Sequence, residues 1–420
     1  MSLQKRKIDY KWVILIVCFL MEFICLGFCS SNPGLYKKAI TDALGFDRTV
    51  FSITYSIRYI VSSIVSLFFG YFVEKFGIRK MIAFGLISLI SYVMIFSFAS
   101  QLPLFYLGGA FWGLGITFCG GTAASVMIQK WFDKDIGKYS GIVMSANGIG
   151  GAIAAQVITP LINDGTPFGY RNAYHLATVI SIIITVIVIC LLRDRADVNT
   201  SSTEKKPRGA SWTGISYKEA LKKPYFYFTF LLVLLTGISL QSIGSISTTH
   251  LQDLGFDPIF VGLTATVSSI VLTFSKVLVG VSYDKRGLRF TLLMCHIAKI
   301  ISFIILACLN NNSTGRVLVF ISTALSSIAL PLETIVIPLL TGDLFGQTDY
   351  VKILGVFMAA NTIGLCIGSP IGELFYTLFK TYVPAIWIFA GIMVVVSVSF
   401  QIVLNTVNKE KAAILAATKD

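Results

Sequence analysis

Five charged residues lie inside long apolar stretches of the sequence: Glu22, Arg58, Lys276, Lys299 and Glu333. A charged side chain at the centre of a membrane-spanning helix costs about 2.5–3.5 kcal/mol on insertion scales, so each is a candidate functional residue. A buried ammonium or guanidinium group can bind an anion, and a buried carboxylate can accept a proton. These residue types predict an interior that handles a small anion and protons, with static ion pairing as the alternative.

Two asparagines lie at a similar depth. Counting 1.5 Å per residue from the charged helix ends puts Asn147, Asn361, Lys276, Glu22 and Glu333 about 12–17 Å into their helices, at one level near the membrane midplane. An asparagine there can donate a hydrogen bond to a carboxylate or hydroxyl, or can bond across a helix interface.

The charges suggest a coupling scheme. We expect Lys276 to face a water-filled central chamber, and Glu333 to pair with Lys276 while no substrate is bound. A substrate anion that takes Lys276 would free the Glu333 carboxylate to bind a proton, so anion and proton would bind together. Glu22 and Arg58 are expected to form the equivalent pair in the first half of the chain.

The composition requires a membrane around these residues. Of 420 residues, 55% are hydrophobic and only 13% charged, and the mean hydropathy is +0.78. Helices of about 20 apolar residues cross the roughly 30 Å hydrocarbon core, where lipid cannot satisfy exposed backbone groups. The sequence predicts an all-α membrane protein with twelve such spans, at residues 11–33, 49–74, 79–100, 103–130, 136–162, 171–193, 223–252, 258–284, 289–309, 314–343, 351–379 and 382–408.

The net charge of +13 follows membrane topology. With both termini in the cytoplasm, most Lys and Arg fall in cytoplasmic segments, as the positive-inside rule requires, so nucleic acid is not the predicted partner. The longest polar stretch, residues 194–222, predicts a cytoplasmic linker between six-helix bundles at residues 1–193 and 223–420. The first apolar stretch lacks a convincing cleavage site and is interpreted as a retained helix.

The cysteines and histidines give no sign of a metal site. Eight cysteines without CxxC spacing are predicted to be reduced packing residues within the spans, and three scattered histidines disfavour a metal centre. We predict no cofactor and no enzymatic activity.

An internal repeat relates the two halves. At one constant offset, Gly45, Phe46 and Asp47 match Gly255, Phe256 and Asp257, and Gly70, Glu74, Lys75, Gly77 and Arg79 match Gly280, Asp284, Lys285, Gly287 and Arg289. At a second offset, Gly141, Met144, Ala146, Asn147 and Gly150 match Gly355, Met358, Ala360, Asn361 and Gly364. Parallel repeats of this kind enclose a site near the midplane and move against each other around it.

The repeated charged segments, residues 70–80 and 280–289, resemble the G-x3-D-R-x-G-R-R signature of the major facilitator superfamily. The resemblance implies that superfamily's fold, with two pseudo-symmetric six-helix bundles, and a gating role in which acids and bases pair across the cytoplasmic ends. Ordinary positive-inside loop charge is the alternative. The predicted gating residues are Gly70, Glu74, Gly77, Arg79, Gly280, Asp284, Gly287 and Arg289.

Within the superfamily the chain resembles the oxalate:formate antiporter and monocarboxylate transporter group. The resemblance lies in residues 45–52 (GFDRTVFS), 130–142 (KWFDKDIGKYSGI) and 221–228 (LKKPYFYF). Phe46, Asp47, Asp133 and Ile136 depart from the group's Trp, Ser, Pro and Arg, as in a remote branch.

This second resemblance implies a substrate class. Lys276 stands where the group usually holds an arginine that pairs with the substrate carboxylate, and Asn361 stands where oxalate:formate antiporters hold a lysine. One fixed charge instead of two favours a monocarboxylate such as lactate, pyruvate or formate. Lys299 receives no role, since its helix is peripheral in the superfamily.

The resulting hypothesis is a monomeric, proton-coupled symporter or anion exchanger in a cell inner membrane. Its partners are a small organic anion, protons and the lipid bilayer. The predicted substrate-binding residues are Lys276, Asn361, Asn147 and Arg58, and the predicted proton-coupling residues are Glu333 and Glu22. An oxalate/formate-type dicarboxylate antiporter and a polyspecific proton-coupled efflux carrier stay open as alternatives.

Overall fold

Long apolar helices make up the part of the chain that the computed structural model describes, residues 10–31, 33–162, 166, 168–194 and 214–417. Most of the predicted linker, residues 195–213, lies outside these ranges. Within them there is no strand beyond an isolated bridge between Gly214 and Gly346. Eleven of the described helices are long and apolar enough to cross a membrane.

Six spans precede the linker. Two of them are interrupted, the first by a π-turn and the fourth by a break at Gly120. The elements are α1 (Tyr10–Glu22) with the π-turn Phe23–Phe28, α2 (Pro33–Leu44), α3 (Arg48–Phe76), α4 (Ile78–Phe98), α5 (Leu102–Cys119), α6 (Gly121–Trp131), α7 (Ile136–Ile162) and α8 (Gly169–Leu191).

The remaining spans follow the linker. A second π-turn interrupts the tenth span. The elements are α9 (Tyr217–Ala220), α10 (Pro224–Asp253), α11 (Pro258–Ala307), α12 (Ser313–Ala329) with the π-turn Leu332–Val336, α13 (Ile337–Phe345), α14 (Tyr350–Phe379) and α15 (Val383–Ala417).

Helix α11 contains two of the predicted spans. Its 50 residues would extend about 75 Å if straight, more than twice the hydrocarbon thickness. Gly287, with φ 76° and ψ 176°, breaks the helical backbone at the predicted boundary between spans eight and nine. This left-handed φ favours glycine, so the chain reverses there. The described helices therefore form the twelve predicted spans.

Two short helices lie outside the predicted spans. Helix α2 follows the first span, and α9 ends the linker with a capping box between Ser216 and Glu219. The backbone N–H and the hydroxyl of Ser216 both bond the Glu219 carboxylate and lower its pKa. The N–H of Tyr217 donates to Asp349 at 2.7 Å, which attaches the linker end to the start of α14.

The two halves meet through two pairs of helices. Helix α7 packs against the first part of α11, and α3 packs against α14. We call the membrane side with Phe76, Trp131 and Leu191 the linker side, and the other the far side. At the linker side a Cβ on Gly280 would lie 2.0 Å from the carbonyl oxygen of Gly137, so only glycine permits this approach of α7 and α11.

Candidate functional site

A cavity of about 630 Å³ opens between the halves on the far side. It is lined by the first half of α3, the middle of α10 and the second half of α14. The polar groups on its wall include Lys37, Arg58, Gln241, Ser369 and Glu373. Helices α3 and α14 line this cavity and are in contact on the linker side, so the protein is open towards the far side and closed at the linker side.

Arg58 is the deepest cation of this cavity, about 15 Å into α3. Its guanidinium lies 4.4 Å from the ring centres of both Tyr59 and Trp112, and the side chain is half-buried. Among the described residues no carboxylate lies within 4.0 Å of it. Aromatic faces stabilise a cation without neutralising its charge, so the guanidinium edge stays available to an anion.

Lys276 occupies a different environment from the one its sequence predicts. Its side chain is only 2% exposed, and its Nζ donates a hydrogen bond of 2.9 Å to the carbonyl oxygen of Met144 on α7. The prediction that Lys276 faces a water-filled chamber is wrong for this conformation. The reason is the close glycine packing of α7 on α11, which places the lysine inside the closed interface.

Glu22 is the acid whose charge acts most strongly on Lys276. Its side chain is 0% exposed, both oxygens lack a hydrogen-bond partner, and its electrostatic partner is Lys276. The prediction that Glu22 pairs with Arg58 is therefore wrong. A Cβ on Gly121 would lie 3.5 Å from Glu22 Oε1, which puts the carboxylate at the first turn of α6. The N-terminal end of a helix dipole stabilises negative charge there.

Glu333 is a half-buried acid of the tenth span that is under the electrostatic influence of two lysines of α11. It interacts most strongly with Lys299 and second with Lys276, and neither ammonium lies within 4.0 Å of its carboxylate. The expected direct pair of Glu333 with Lys276 is therefore not formed. Lys299 is 1% exposed and donates to Ser326 Oγ at 2.6 Å, so it points into the protein and not towards lipid.

Glu22, Lys276, Glu333 and Lys299 form what we call the charge network, in which Glu333 is half-buried and the other three are buried. Their charges alternate across spans one, eight, ten and nine, and the formal charges sum to zero. Each acid lies at a π-turn: Glu22 immediately precedes Phe23–Phe28, and Glu333 lies within Leu332–Val336. Such turns leave the regular backbone hydrogen-bond pattern and are frequent at functional sites. Sequence periodicity gave no signal for either turn.

The two asparagines occupy equivalent helix crossings. Asn147 Oδ1 accepts a hydrogen bond of 3.0 Å from Ser31, and Asn361 Oδ1 is buried without a partner. A Cβ on Gly237 would lie 3.2 Å from that oxygen. Asn147 thus bonds across a helix interface, while Asn361 holds an unused acceptor inside the second half.

The repeated acidic residues close the linker side. The Asp284 carboxylate accepts hydrogen bonds from the backbone N–H groups of Gly137, at 2.9 Å, and Lys138, at 2.6 Å. It therefore caps the first turn of α7, across the two halves. Glu74 forms an ion pair of 2.5 Å with Lys352 near the start of α14. Each acid joins its own half to the other.

The repeated arginines behave differently. Arg79 reaches the carbonyl oxygen of Ile189 at 3.5 Å, and Arg289 bonds the side chain of Asn405. Both partners lie in the same half as the arginine, so the predicted pairing of these bases across the halves is wrong. Gly77, with φ 83°, begins α4 in the left-handed region, as Gly287 does in the second copy.

A third contact between the halves is made by Gln129 of α6. Its Nε2 donates to the hydroxyl of Tyr350 at 2.7 Å and to the carbonyl of Pro338 at 3.2 Å, and its Oε1 accepts from Gln347. Sequence inspection missed this contact because no charge marks it.

Two overlapping segments of the chain, residues 15–330 and 251–419, match the Major Facilitator Superfamily. The chain belongs to the Major Facilitator Superfamily. It is a multi-pass membrane transporter and not an enzyme. The twelve-span fold and the superfamily resemblance of the repeated charged segments are confirmed.

Relatives within the Major Facilitator Superfamily differ in their cargo. The chain is 24% identical over 369 residues to Multidrug resistance protein 2 of Bacillus subtilis, covering 84% of this chain and 85% of that protein. It is 31% identical over 196 residues to a probable hexose phosphate transport protein of Chlamydia trachomatis, covering 46% of this chain and 42% of that protein.

The fold of this superfamily member also resembles a solved structure. FucP, a transporter of the same superfamily crystallised in the outward conformation, superimposes with a TM-score of 0.68 at 13% identity, over 94% of this chain and 99% of that chain. At this identity the likeness concerns the fold alone.

Several cavity residues of this transporter escaped the sequence analysis. Lys37 lies on α2, outside every predicted span, and Gln241 and Glu373 are polar residues within α10 and α14. The four-residue spacing of Ser369 and Glu373 places both on one face of α14, which is the signal that would have indicated a polar wall.

Proposed function

We propose that this transporter carries a small organic anion, a monocarboxylate such as lactate, pyruvate or formate, by alternating access coupled to protons. The observation that supports the proposal is the guanidinium of Arg58 in the far-side cavity, with no carboxylate within 4.0 Å among the described residues. A planar guanidinium binds a carboxylate through two parallel hydrogen bonds, and the neighbouring aromatic rings leave its charge uncancelled.

We propose that Lys276 binds the anion in the other conformation, in which the linker side is open. Opening the linker side would separate α7 from α11, because Gly137, Gly141 and Gly280 make their closest approach there. That movement would break the bond from Lys276 to Met144 and expose the ammonium. An anion received at Arg58 on the far side would then be held by Lys276 on the linker side.

Proton coupling follows from the same movement. An anion bound to Lys276 withdraws the cation that Glu22 and Glu333 share. A buried carboxylate without its counter-ion favours its neutral form, so both acids become proton acceptors when the anion is bound. Reciprocal linkage then makes proton binding favour anion binding. Symport and anion exchange both fit this scheme.

Asn361 supports a single-charged cargo. In its place an oxalate carrier would need a second cation, and Asn361 offers an amide whose oxygen has no partner. Asn147 already bonds Ser31, so we propose that it makes a weaker contact with the anion than Asn361 does.

The distribution of Lys and Arg also indicates how the protein is oriented in the membrane. We infer that the linker side is cytoplasmic, with both termini there, because Lys and Arg concentrate in those segments. The bundles are proposed as residues 1–193 and 223–420, joined by 194–222, in a monomer of a cell inner membrane.

A polyspecific efflux carrier is the second candidate. The relative named Multidrug resistance protein 2 aligns over most of both chains, which favours this reading. A hexose phosphate carrier shares the anionic cargo and is favoured by the shorter Chlamydia match. An oxalate/formate-type antiporter is a further alternative, and it would need two fixed cations where the proposed monocarboxylate carrier needs one.

Substitution of Arg58 tests the proposal directly. In reconstituted vesicles, Arg58→Gln should raise the KM for labelled lactate or pyruvate by about tenfold to 100-fold, since a charged hydrogen bond contributes about 1.5–3 kcal/mol. The control is Arg316→Gln, because Arg316 is exposed and also lies near an aromatic ring, at 5.9 Å from Phe260, but outside the cavity. Equal monocarboxylate transport by Arg58→Gln and the parent would refute the assignment.

Competition by unlabelled compounds separates the alternatives. Lactate and formate should compete more strongly than oxalate, glucose 6-phosphate or ethidium. Stronger competition by oxalate would indicate the dicarboxylate antiporter, stronger competition by glucose 6-phosphate a sugar phosphate carrier, and stronger competition by ethidium an efflux carrier.

A further inference from the structure

Trp112 of α5 lies directly behind the cation of the far-side cavity. Its side chain is 1% exposed, and the described residues of the cavity wall include Arg58, Tyr55 and Tyr59 but not the indole. The Arg58 guanidinium lies 4.4 Å from the centre of the indole ring. Trp112 therefore touches the cation proposed to bind the anion and is not placed to touch the anion itself.

Two glycines of α5 bring Trp112 to this position. A Cβ on Gly109 would lie 2.7 Å from the carbonyl oxygen of Thr54, and a Cβ on Gly113 would lie 2.6 Å from that of Arg58. The backbones of α5 and α3 can approach this closely only because both residues are glycines. Trp112 lies between them in the sequence, so the close approach places its ring beside the turn of α3 that carries Arg58.

A stacked neighbour fixes the plane of the indole. Tyr92 of α4 stacks on it with ring centres 4.7 Å apart and 3° between the ring planes. The Tyr92 hydroxyl donates a hydrogen bond of 3.2 Å to the carbonyl oxygen of Cys29. Because Tyr92 is buried and bonded at its far end, the indole cannot tilt away from Arg58 without breaking this stack.

A hydrogen bond fixes the rotation of the indole within that plane. Its N–H donates to Ser30 Oγ at 2.8 Å, and the Ser30 hydroxyl donates in turn to the carbonyl oxygen of Cys25 at 2.6 Å. Cys25 lies within the π-turn Phe23–Phe28 of the first span. The ring beside the cavity cation is therefore joined through Ser30 to the π-turn of another helix.

A fixed ring changes how an arginine can bind a ligand. A free arginine side chain loses conformational freedom when it is ordered by a ligand, and this loss weakens binding. A guanidinium that already lies against a fixed ring has lost that freedom beforehand. Contact with a ring face leaves the in-plane N–H groups unused, and these are the groups that bind a carboxylate through two parallel hydrogen bonds.

We propose that Trp112 is a positioning residue for Arg58: it holds the guanidinium plane with its N–H edge towards the far-side cavity and connects that plane to the first span through Ser30. The inference rests on the proposed function and deepens it, because it names the residue that makes a flexible cation into a preformed anion site. Trp112 acts through Arg58, so its loss weakens anion binding more than it slows the transport cycle.

Replacement of Trp112 tests this role. In reconstituted vesicles, Trp112→Leu should raise the KM for labelled lactate by about threefold to 30-fold and leave kcat within about twofold of the parent. Trp112→Phe keeps a ring face for the guanidinium, so its KM should stay within about threefold of the parent. A KM in Trp112→Leu equal to that of the parent would overturn the inference.

Ser30→Ala tests the connection to the first span with a much smaller loss of volume. It removes the acceptor of the indole N–H and should raise the KM by about twofold to fivefold. An unchanged KM in Ser30→Ala would refute the connection through Ser30.

The matched control is Phe105→Leu. Phe105 is a buried ring of the same helix, seven residues before Trp112, and its ring centre lies 5.2 Å from that of Phe51 and 5.0 Å from that of Phe96. Its loss removes aromatic packing of the same kind and should leave the KM unchanged. Equal rises in KM for Phe105→Leu and Trp112→Leu would show that only packing matters, and would overturn the positioning role.

A further measurement does not depend on the cargo. Each single variant, Arg58→Gln or Trp112→Leu, already breaks their contact, so the thermal midpoint of the double variant in detergent should fall by less than the sum of the two single falls. For Arg58→Gln with Phe105→Leu the falls should add. Additivity in the first pair would refute the inference even if the parent transports lactate. Non-additivity in that pair, with no lactate transport by the parent, would uphold the role of Trp112 and refute only the cargo.

Discussion

The two crossings between the halves have the same backbone and different chemistry. Where α7 crosses α11, a Cβ on Gly141 would lie 2.5 Å from the carbonyl oxygen of Lys276. Where α3 crosses α14, a Cβ on Gly355 would lie 2.5 Å from the carbonyl oxygen of Ser66. Gly141 and Gly355 match in the sequence repeat, and Ser66 and Lys276 each precede the matched Gly70 or Gly280 by four residues.

The two crossings share their glycine contacts and differ in the side chain that lies beside them. Duplication retained the glycine contacts that let both pairs of helices approach closely, because any side chain there would collide with backbone. The side chain at the equivalent position carries no such restriction, so one crossing holds a small hydroxyl and the other a buried ammonium. The charge network is correspondingly one-sided, with three of its four members in the second half.

Exchanging the side chains of the two crossings should have the largest effect. Lys276→Ser gives the second crossing the residue of the first and removes the cation that the anion and both acids share. We expect transport of labelled monocarboxylate to fall by at least about tenfold, because a charge-assisted hydrogen bond contributes about 1.5–3 kcal/mol.

The control for this exchange is Ser66→Ala at the first crossing, which should transport like the parent. Thermal unfolding in detergent would establish that both variants fold. Unchanged transport by Lys276→Ser would show that the second crossing, like the first, is only structural.

The two acids of the linker side allow a second comparison. Asp284 caps a helix through two backbone hydrogen bonds, and its loss in Asp284→Ala should destabilise the closed linker side by about 0.5–2 kcal/mol. The Glu74 side chain is 63% exposed, so its pair with Lys352 should contribute only about 0.2–1 kcal/mol, tested with Glu74→Ala.

The rate at which an impermeant maleimide modifies Val277→Cys from the linker side would measure both changes, since Val277 lies in the interface of α7 and α11. Labelling should be faster in Asp284→Ala than in Glu74→Ala. The reverse order would mean that the first copy of the motif is the stronger lock.

The asparagines should show the smallest effect on stability. Asn147→Ala removes the acceptor of Ser31 and should cost about 0.5–1.5 kcal/mol in thermal unfolding. Asn361→Ala removes an oxygen that has no partner and should be close to neutral in stability, while weakening transport if the amide contacts the anion. A larger loss of stability for Asn361→Ala would show that its amide has a structural role instead.

The sequence by itself determined the architecture. Apolar runs of membrane-spanning length, the glycine at position 287 between the eighth and ninth spans, and the repeat of Gly70 to Arg79 in Gly280 to Arg289 are local properties of the chain, so they predicted twelve helices and two related halves. Lipid allows a helix few alternatives, because every backbone group must be satisfied within it.

Only the tertiary structure decided which charges meet. The cation that acts on Glu22 is Lys276 and not Arg58, and Glu333 is influenced by Lys299 as well as by Lys276, although the sequence left Lys299 without a role. These pairings depend on the rotation of each helix about its axis and on the π-turns beside both acids. Helix rotation is set by the packing of glycines against neighbouring backbones, which the sequence of one helix does not contain.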